Sequence, residues 1–234
     1  MNVKLEGIKK LPETEGVTCD SPSGFYNSPF TAKISSSAVG ETVKYTLDGS
    51  DPRYSFTSIS ATSPVSVSIN PNSSAGGRGT TGGVVLRASK FAAGFDPSRP
   101  ITHSYIFVSA VKTQSFPGGS WPTASVNGQT IDLPMDAKVY NDARYKNQME
   151  SSLQDIPSIS VTTDPANLFN SQTGIYVNAI YHGSEWERPA NIELINPDGS
   201  PGFNIEAGIR IRGGWSRHGN YPKHAFRLFF RSEY

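Results

Sequence analysis

Residues 207–234 read AGIRIRGGWSRHGNYPKHAFRLFFRSEY, two alternating segments separated by a glycine-rich turn. In the first segment isoleucines alternate with Arg210 and Arg212, and in the second aromatic and aliphatic residues alternate around Arg227 and Arg231. Because successive side chains of a strand point to opposite faces, each segment is predicted to be a strand with one apolar and one basic face. Two such strands side by side need a counter-anion, either a protein carboxylate or the phosphate of a ligand.

The same region contains almost enough carboxylates to neutralise its own charge. From His182 onward the sequence has seven Lys and Arg residues and six Asp and Glu residues. Internal pairing therefore stays open beside a small phosphate ligand. Gly213, Gly214 and Gly219 favour the ligand, since a glycine turn lets backbone amides approach an anion, although ordinary hairpins have such turns too.

The composition of the whole chain excludes several classes of protein. The 234 residues include 21 Lys and Arg and 20 Asp and Glu, for a formal net charge of +1, which argues against a nucleic-acid partner. The single cysteine, Cys19, excludes an internal disulfide and a thiolate metal site, and no metal site is predicted. No apolar run is long enough to span a membrane, and the first residues lack the apolar core of a signal peptide.

Short alternating segments predict a mainly β protein. Its 22 glycines and 17 prolines divide the chain into short pieces. Residues 12–108, after an N-terminal extension at residues 1–11, are predicted to form an immunoglobulin- or fibronectin-like β-sandwich. The predicted strands are residues 30–36, 42–48, 64–69, 84–92 and 101–108.

Within this region the turn DGSDP at residues 48–52 carries two carboxylates. Asp48 and Asp51 either cap their own turns or help to bind calcium. The capping interpretation is favoured, because calcium needs six or more oxygen ligands and this loop offers few.

Residues 12–108 resemble the accessory domain of the chitobiase and β-hexosaminidase C-terminal type, a fibronectin-like sandwich. The resemblance rests on YTLDGSDP, SPVSVSI and VVLRASKFAAGFDPSRPITHSYIF. The loop NPNSSAGGRGTTGG at residues 70–83 departs from that pattern and is predicted to be a flexible insertion. It is either a tolerated insertion, which is favoured, or a contact loop.

After a linker at residues 109–133, the predicted second region, residues 134–234, is strand-rich α+β. A single helix is predicted at residues 142–153. The turn NPDGSPG at residues 196–202 predicts an antiparallel hairpin. The predicted strands are residues 157–164, 173–178, 190–196, 203–213 and 223–230.

The second region resembles the first half of the CotH family, spore-coat-type bacterial proteins with an atypical protein-kinase fold. The motifs are GSEWERPANIELINPDG and AGIRIRGG with SR and PKHAFRLFFR after it. The resemblance implies a partial kinase-like first lobe, ATP and Mg as cofactors of the parent protein, and a secreted or cell-surface location. No cofactor is expected to be required for folding.

Roles follow from the resemblance residue by residue. A strand lysine of a kinase fold holds the α- and β-phosphates, and Lys223 is the best match. Arg210, Arg212 and Arg217 would assist, and Glu193 would pair with the lysine. The metal-binding acids and the catalytic aspartate of the family come after Tyr234, so this chain is expected to lack phosphotransfer activity.

Surface meant for a second lobe is expected to be apolar and to favour self-association.

Two other functions stay open. The sequence GWSRHG allows an esterase-like hydrolase in which Ser216 acts with His218 or His224, although its spacing is not that of a nucleophile elbow. A carbohydrate- or cell-surface-binding module is the other alternative, with a polysaccharide stacked on exposed indole rings. The candidate tryptophans are Trp121, Trp186 and Trp215.

Overall fold

The structure, a computed structural model, describes residues 9–10, 16–231 and 234. Strands make up 34% of the chain and helices 13%, which confirms the mainly β prediction. Most of the predicted extension at residues 1–11 lies outside the described residues, as does Glu233. None of the helices in the described ranges is long and apolar enough to cross a membrane.

The first part of the structure, residues 9–10 and 16–113, is built from two larger sheets and one small one. The five-stranded sheet has the order β3-β10-β8-β5-β6 and the three-stranded sheet the order β2-β4-β7, while β1 and β9 form a parallel pair. The strands are β1 (Lys9–Lys10), β2 (Val17–Cys19), β3 (Gly24–Phe25), β4 (Phe30–Ser36), β5 (Thr42–Thr46), β6 (Ile59–Thr62), β7 (Val65–Ile69), β8 (Gly83–Phe91), β9 (Phe95–Asp96) and β10 (Ile101–Ile106). Helix α1 (Val108–Thr113) ends this part.

One apolar core is shared by the three- and five-stranded sheets. The alternation of the sequence places every second side chain of these strands inward, as predicted for β4, β5 and β7. The core residues include Ala32, Ile34, Val67 and Ile69 from the first sheet and Val43, Val84, Leu86 and Tyr105 from the second.

The predicted insertion at residues 70–83 is a closed loop built around Arg78, which is only 3% exposed. Nη1 of Arg78 donates to the carbonyl oxygens of Asn70, Pro71 and Ser73 at 3.1, 3.1 and 2.6 Å. Nη2 donates to Thr81 and Gly83. Burial lowers the pKa of Arg78. The guanidinium therefore serves as the scaffold of the loop.

The two carboxylates of the DGSDP turn are used within their own loop. Asp48 accepts hydrogen bonds from the backbone and hydroxyl of Ser50 and from Thr57 Oγ1. Asp51 forms a 2.6 Å ion pair with Arg53. This arrangement agrees with the capping interpretation.

The second part, residues 134–231, contains one antiparallel four-stranded sheet of order β11-β12-β13-β14. Its elements are α2 (Ala137–Tyr140), α3 (Met149–Ser152), β11 (Ser158–Thr162), α4 (Pro165–Phe169), β12 (Arg188–Ile195), β13 (Asn204–Arg212) and β14 (Ala225–Phe229). The predicted hairpin between β12 and β13 is confirmed.

Two predicted elements of this part are wrong. Residues 142–153 form turns and the single helical turn α3 instead of one helix, because the segment has no apolar stripe to bury. Residues 173–178 are not a strand. Their amides bond back to the chain around α4, as from Ile175 to Asn167 and from Tyr176 to Leu168.

The apolar face of this sheet packs under residues 165–186. Its core consists of Ile175, Ala179, Ala190, Ile192, Ala207, Ile209 and Ile211. The far end of the same face, with Ile159, Ile205 and Phe230, stays exposed. Self-association through such a surface stays a prediction.

The opposite, polar face of the sheet meets the first part. Ser104 and Ser160 are joined by a 2.7 Å hydrogen bond between their hydroxyls. Asn204 Nδ2 donates to the carbonyl of Thr102 at 2.8 Å, and Arg87 pairs with Glu206 at 3.3 Å. We call this set of contacts the joint.

Candidate functional site: an arginine cleft

A cleft of about 710 Å³ opens where β13 and β14 meet residues 175–186. We call it the arginine cleft, because four of its lining residues are arginines: Arg210, Arg212, Arg217 and Arg227. Tyr181, His182, Trp186 and Phe229 are among its other lining residues. No Asp or Glu belongs to the described lining of this cleft.

Strand alternation brings the arginines together. Arg210 on β13 lies directly opposite Arg227 on β14, and Arg212 lies opposite Ala225 at the end of the same ladder. Like charges at facing positions of a sheet repel each other. The shared basic face predicted from the sequence is therefore present, and it requires a counter-anion.

Part of that charge is neutralised internally by Glu187. Its Oε2 accepts from Arg210 at 2.5 Å, and its Oε1 lies 3.2 Å from Arg231 and accepts from the Tyr234 hydroxyl. The guanidinium groups of Arg210 and Arg231 both lie over the ring of Phe229, at 4.4 and 4.7 Å.

The pKa of Glu187 reflects this neighbourhood. Burial alone would raise the pKa of the carboxyl, but the hydrogen bonds from Tyr234 and Arg210 and the nearby positive charges hold it below its ordinary value. Glu187 therefore stays ionised and neutralises Arg210, one of the two arginines that face each other across β13 and β14.

Arg217 is held by carbonyl oxygens. Its guanidinium donates to the carbonyls of Tyr181 and Ile211 at 2.9 and 2.8 Å, and also to that of Gly213. These bonds tie the glycine turn to the opposite wall of the cleft. Gly213 has a φ of 114°, which favours glycine, and a Cβ added there would overlap Ser216 Oγ in its present position.

Arg212 and Arg227 carry the unneutralised charge of the cleft. Within residues 16–231, neither side chain has a hydrogen bond or an ion pair with another residue. Both are exposed at the mouth of the cleft. They are the donors available to an anion from solvent.

An aromatic pair forms the other wall of the cleft. The rings of Tyr181 and Trp186 stack at 4.8 Å with an angle of 16° between their planes. The guanidinium of Arg188 lies over the ring of Trp186, 5.7 Å from its centroid. The cleft thus offers a flat apolar surface opposite its free cations.

The structure does not bring Lys223 and Glu193 together. Glu193 lies opposite Asn204, at the start of β13, whereas Lys223 precedes Ala225, which lies opposite Arg212 at the other end. The eight residue-to-residue steps from Asn204 to Arg212 span roughly 27 Å. Lys223 is exposed and does not line the arginine cleft. The three arginines predicted beside it do.

Ser216, His218 and His224 are not hydrogen-bonded as a triad. The two ring nitrogens of His224 face the backbone carbonyl of Ser216 at 2.9 Å and Gln129 Oε1 at 3.1 Å. His218 packs on Trp215 instead. Burial lowers the pKa of His224. Its position indicates that this histidine braces the turn that carries Arg217.

The three tryptophans have different environments. Trp121 packs on Phe169, and Trp186 is stacked on Tyr181. Trp215 is 73% exposed, and its Nε1 donates to the Tyr221 hydroxyl at 2.7 Å. Of the three predicted stacking platforms, Trp215 has the most open ring.

The sequence analysis missed two contributors to the cleft. Arg227 was placed on the basic face but not in the site, although its alternation with Phe226 and Leu228 was sufficient to find it. Tyr181 lies in a segment that the alternation assigned to no element, and no local signal in the sequence marks it.

A metal cluster is not seen in the part of the chain that the structure describes, where no three His, Cys, Asp or Glu side chains are grouped closely enough to hold an ion.

Comparison of the chain with models of known families, with the curated proteins and with the solved structures finds no match.

Proposed function

We propose that the arginine cleft binds the phosphate groups of a nucleotide, and that residues 134–234 act as the first lobe of a CotH-like kinase fold. One observation carries this proposal. Arg212 and Arg227 lie at the mouth of a cleft without any carboxylate in its described lining, and neither has a protein partner within residues 16–231. Guanidinium groups match phosphate oxygens in geometry and charge.

Each wall of the cleft has its own part in this proposal. Arg212 and Arg227 would donate to phosphate oxygens, while Arg217 keeps the glycine turn in place through its carbonyl contacts. The stacked surface of Tyr181 and Trp186 would receive the base. ATP would arrive as its Mg complex, so the metal would be supplied with the ligand.

In the same proposal residues 12–108 are a fibronectin-like accessory β-sandwich joined through residues 109–133. Two sheets that share a single apolar core support this assignment. Such a sandwich would present the nucleotide-binding lobe in a secreted or cell-surface bacterial protein.

Calorimetric titration of the full chain with Mg-ATP tests the proposal. We expect binding that is lost in the double variant Arg212→Ala, Arg227→Ala and retained in Lys223→Ala, because Lys223 lies outside the cleft. Arg144→Ala is a matched control, since this exposed arginine pairs with the nearby Asp142 and does not line the cleft. Binding that survives the double variant, or that depends on Lys223 alone, would contradict the proposed site.

A second candidate function is favoured by the exposure of Trp215. A ring that is open to solvent and fixed by a hydrogen bond is a suitable platform for the face of a sugar. Retention of the chain on insoluble cellulose or chitin, and its loss in Trp215→Ala but not in Trp121→Ala, would support a carbohydrate-binding module. Equal retention of both variants would exclude Trp215 as the platform.

A further inference from the structure

The joint between the two parts contains a buried carboxyl group, that of Glu193. Glu193 lies on β12 between Ser160 on β11 and Asn204 on β13, on the sheet face that meets the first part. The residue is only 5% exposed. A carboxylate so deeply buried is costly unless charge or hydrogen bonds compensate it.

Hydrogen bonds compensate the burial of the Glu193 carboxyl only in part. Glu193 Oε1 accepts from Asn204 Nδ2 at 3.2 Å, and the same amide donates to the carbonyl of Thr102 in the first part. Glu193 Oε2 is buried and has no hydrogen-bond partner within the described residues. The neighbouring oxygens Thr162 Oγ1 and Asn191 Oδ1, on the same sheet face, are in the same situation.

Charged groups around the joint do not stabilise an ionised Glu193. Arg87, from the first part, is paired with Glu206. His103 lines the same cleft as Glu193, but burial lowers its pKa and keeps the ring neutral near neutral pH. Burial correspondingly raises the pKa of Glu193, against the weaker opposing effects of the neighbouring polar groups of Ser23, Ser104 and Asn204.

We infer that Glu193 is protonated when the two parts are packed together, and that its ionisation loosens the joint. The joint is then a pH-sensitive contact between the two parts. Since the pKa is raised in the packed state, the contribution of Glu193 is fully present below its ordinary value of 4.5 and is lost as the pH rises through the raised value. Each unit by which packing raises the pKa of Glu193 corresponds to roughly a tenfold weakening of the contact between the two parts once Glu193 is ionised.

Glu193→Gln tests the inference because glutamine keeps the shape of the protonated side chain and cannot ionise. Amide exchange at β10 and β11, corrected for intrinsic rates, should show the variant better protected than the natural chain at pH 8 and equally protected at pH 4. Glu187→Gln is the matched control: its pKa is lowered, so that substitution should be the more harmful at pH 8. A difference for Glu193→Gln that is the same at both pH values would overturn the inference.

A second measurement reads the carboxyl directly. Carbon-detected NMR titration should give Glu193 a pKa above 4.5 in the natural chain. In Ser104→Phe, where a large uncharged side chain replaces the partner of Ser160, the pKa should return toward the ordinary value. An unchanged pKa in a folded variant would show that protonation and closure are not coupled. If Ser104→Phe does not fold, the amide-exchange comparison decides alone.

Discussion

Enclosed cations of the first part and two arginines of the second part differ in how their charge is neutralised. In the first part the Lys90 ammonium is buried and paired with Glu41 at 2.7 Å, Arg53 is paired with Asp51, and Arg78 is enclosed by carbonyl oxygens. In the second part Arg212 and Arg227 lie on neighbouring strands with no partner in the described chain.

Under the proposed function, this difference marks the arginine cleft as the site for an anion. Cations that hold a fold together are consumed by their partners and cannot serve an anion from solvent. Cations left without partners on adjacent strands repel one another and weaken the sheet. Such repulsion is expected to persist where positive charge is needed for binding. The proposed anion site is therefore assigned to the second part.

The largest effect is expected from removing the guanidinium that builds a loop of the first part. Arg78→Ala leaves several buried carbonyl oxygens without donors, and we expect it to lower the free energy of unfolding by about 2–4 kcal/mol. Urea denaturation followed by circular dichroism measures this. Arg212→Ala should change stability by less than about 0.5 kcal/mol. Equal effects of the two substitutions would remove the distinction between the two parts.

A smaller, pH-dependent effect is expected at the pair of Lys90 with Glu41 in the first part. The hydrogen bond from Lys90, with one from the backbone of Ala38, lowers the pKa of Glu41 from 4.5 to about 2. The pair therefore stabilises the fold above pH 4.5, and this contribution is lost as the pH falls toward 2. Glu41→Gln should lower the urea midpoint of unfolding at pH 7. The difference in midpoint between the variant and the natural chain, which is the gap measured here, should close on acidification. A gap that persists at pH 2 would contradict the assignment.

The smallest expected effect is a gain in stability when Arg227 of the second part is removed. Arg227→Ala removes one member of a repelling pair, and we expect it to stabilise the free chain by about 0.2–0.5 kcal/mol at low salt. The gain should disappear at 1 M salt, where exposed charges are screened. Thermal unfolding at two salt concentrations measures it. Destabilisation of the same size would indicate that Arg227 has a structural partner.

The sequence predicted local structure well where alternation is strict. Residues 30–36 were predicted as a strand with the same bounds as β4, and the basic face of β13 and β14 followed from alternation alone. Alternation fails where tertiary contacts decide the backbone, as in residues 173–178, whose amides bond to the chain around α4. It also cannot set the distance between elements, and so it gave no sign that Lys223 and Glu193 lie at opposite ends of the sheet.

The role of Glu187 could not be predicted for the same reason. Its pairing with Arg210 depends on the facing of β12 and β13, and its contact with Arg231 depends on the chain returning after β14. A count of charges showed near balance in this region but could not say which arginines are neutralised. Only the fold separates the occupied arginines from the free ones.

The most direct test of this account is an NMR titration of the full chain with pyrophosphate, observed at the arginine Nε–H signals. We predict that the signals of Arg212 and Arg227 shift with one common saturation curve, while those of Arg53 and Arg78, which already have partners, stay in place. Uniform small shifts of all the arginines, or shifts that leave Arg212 and Arg227 unchanged, would contradict a phosphate site in the arginine cleft.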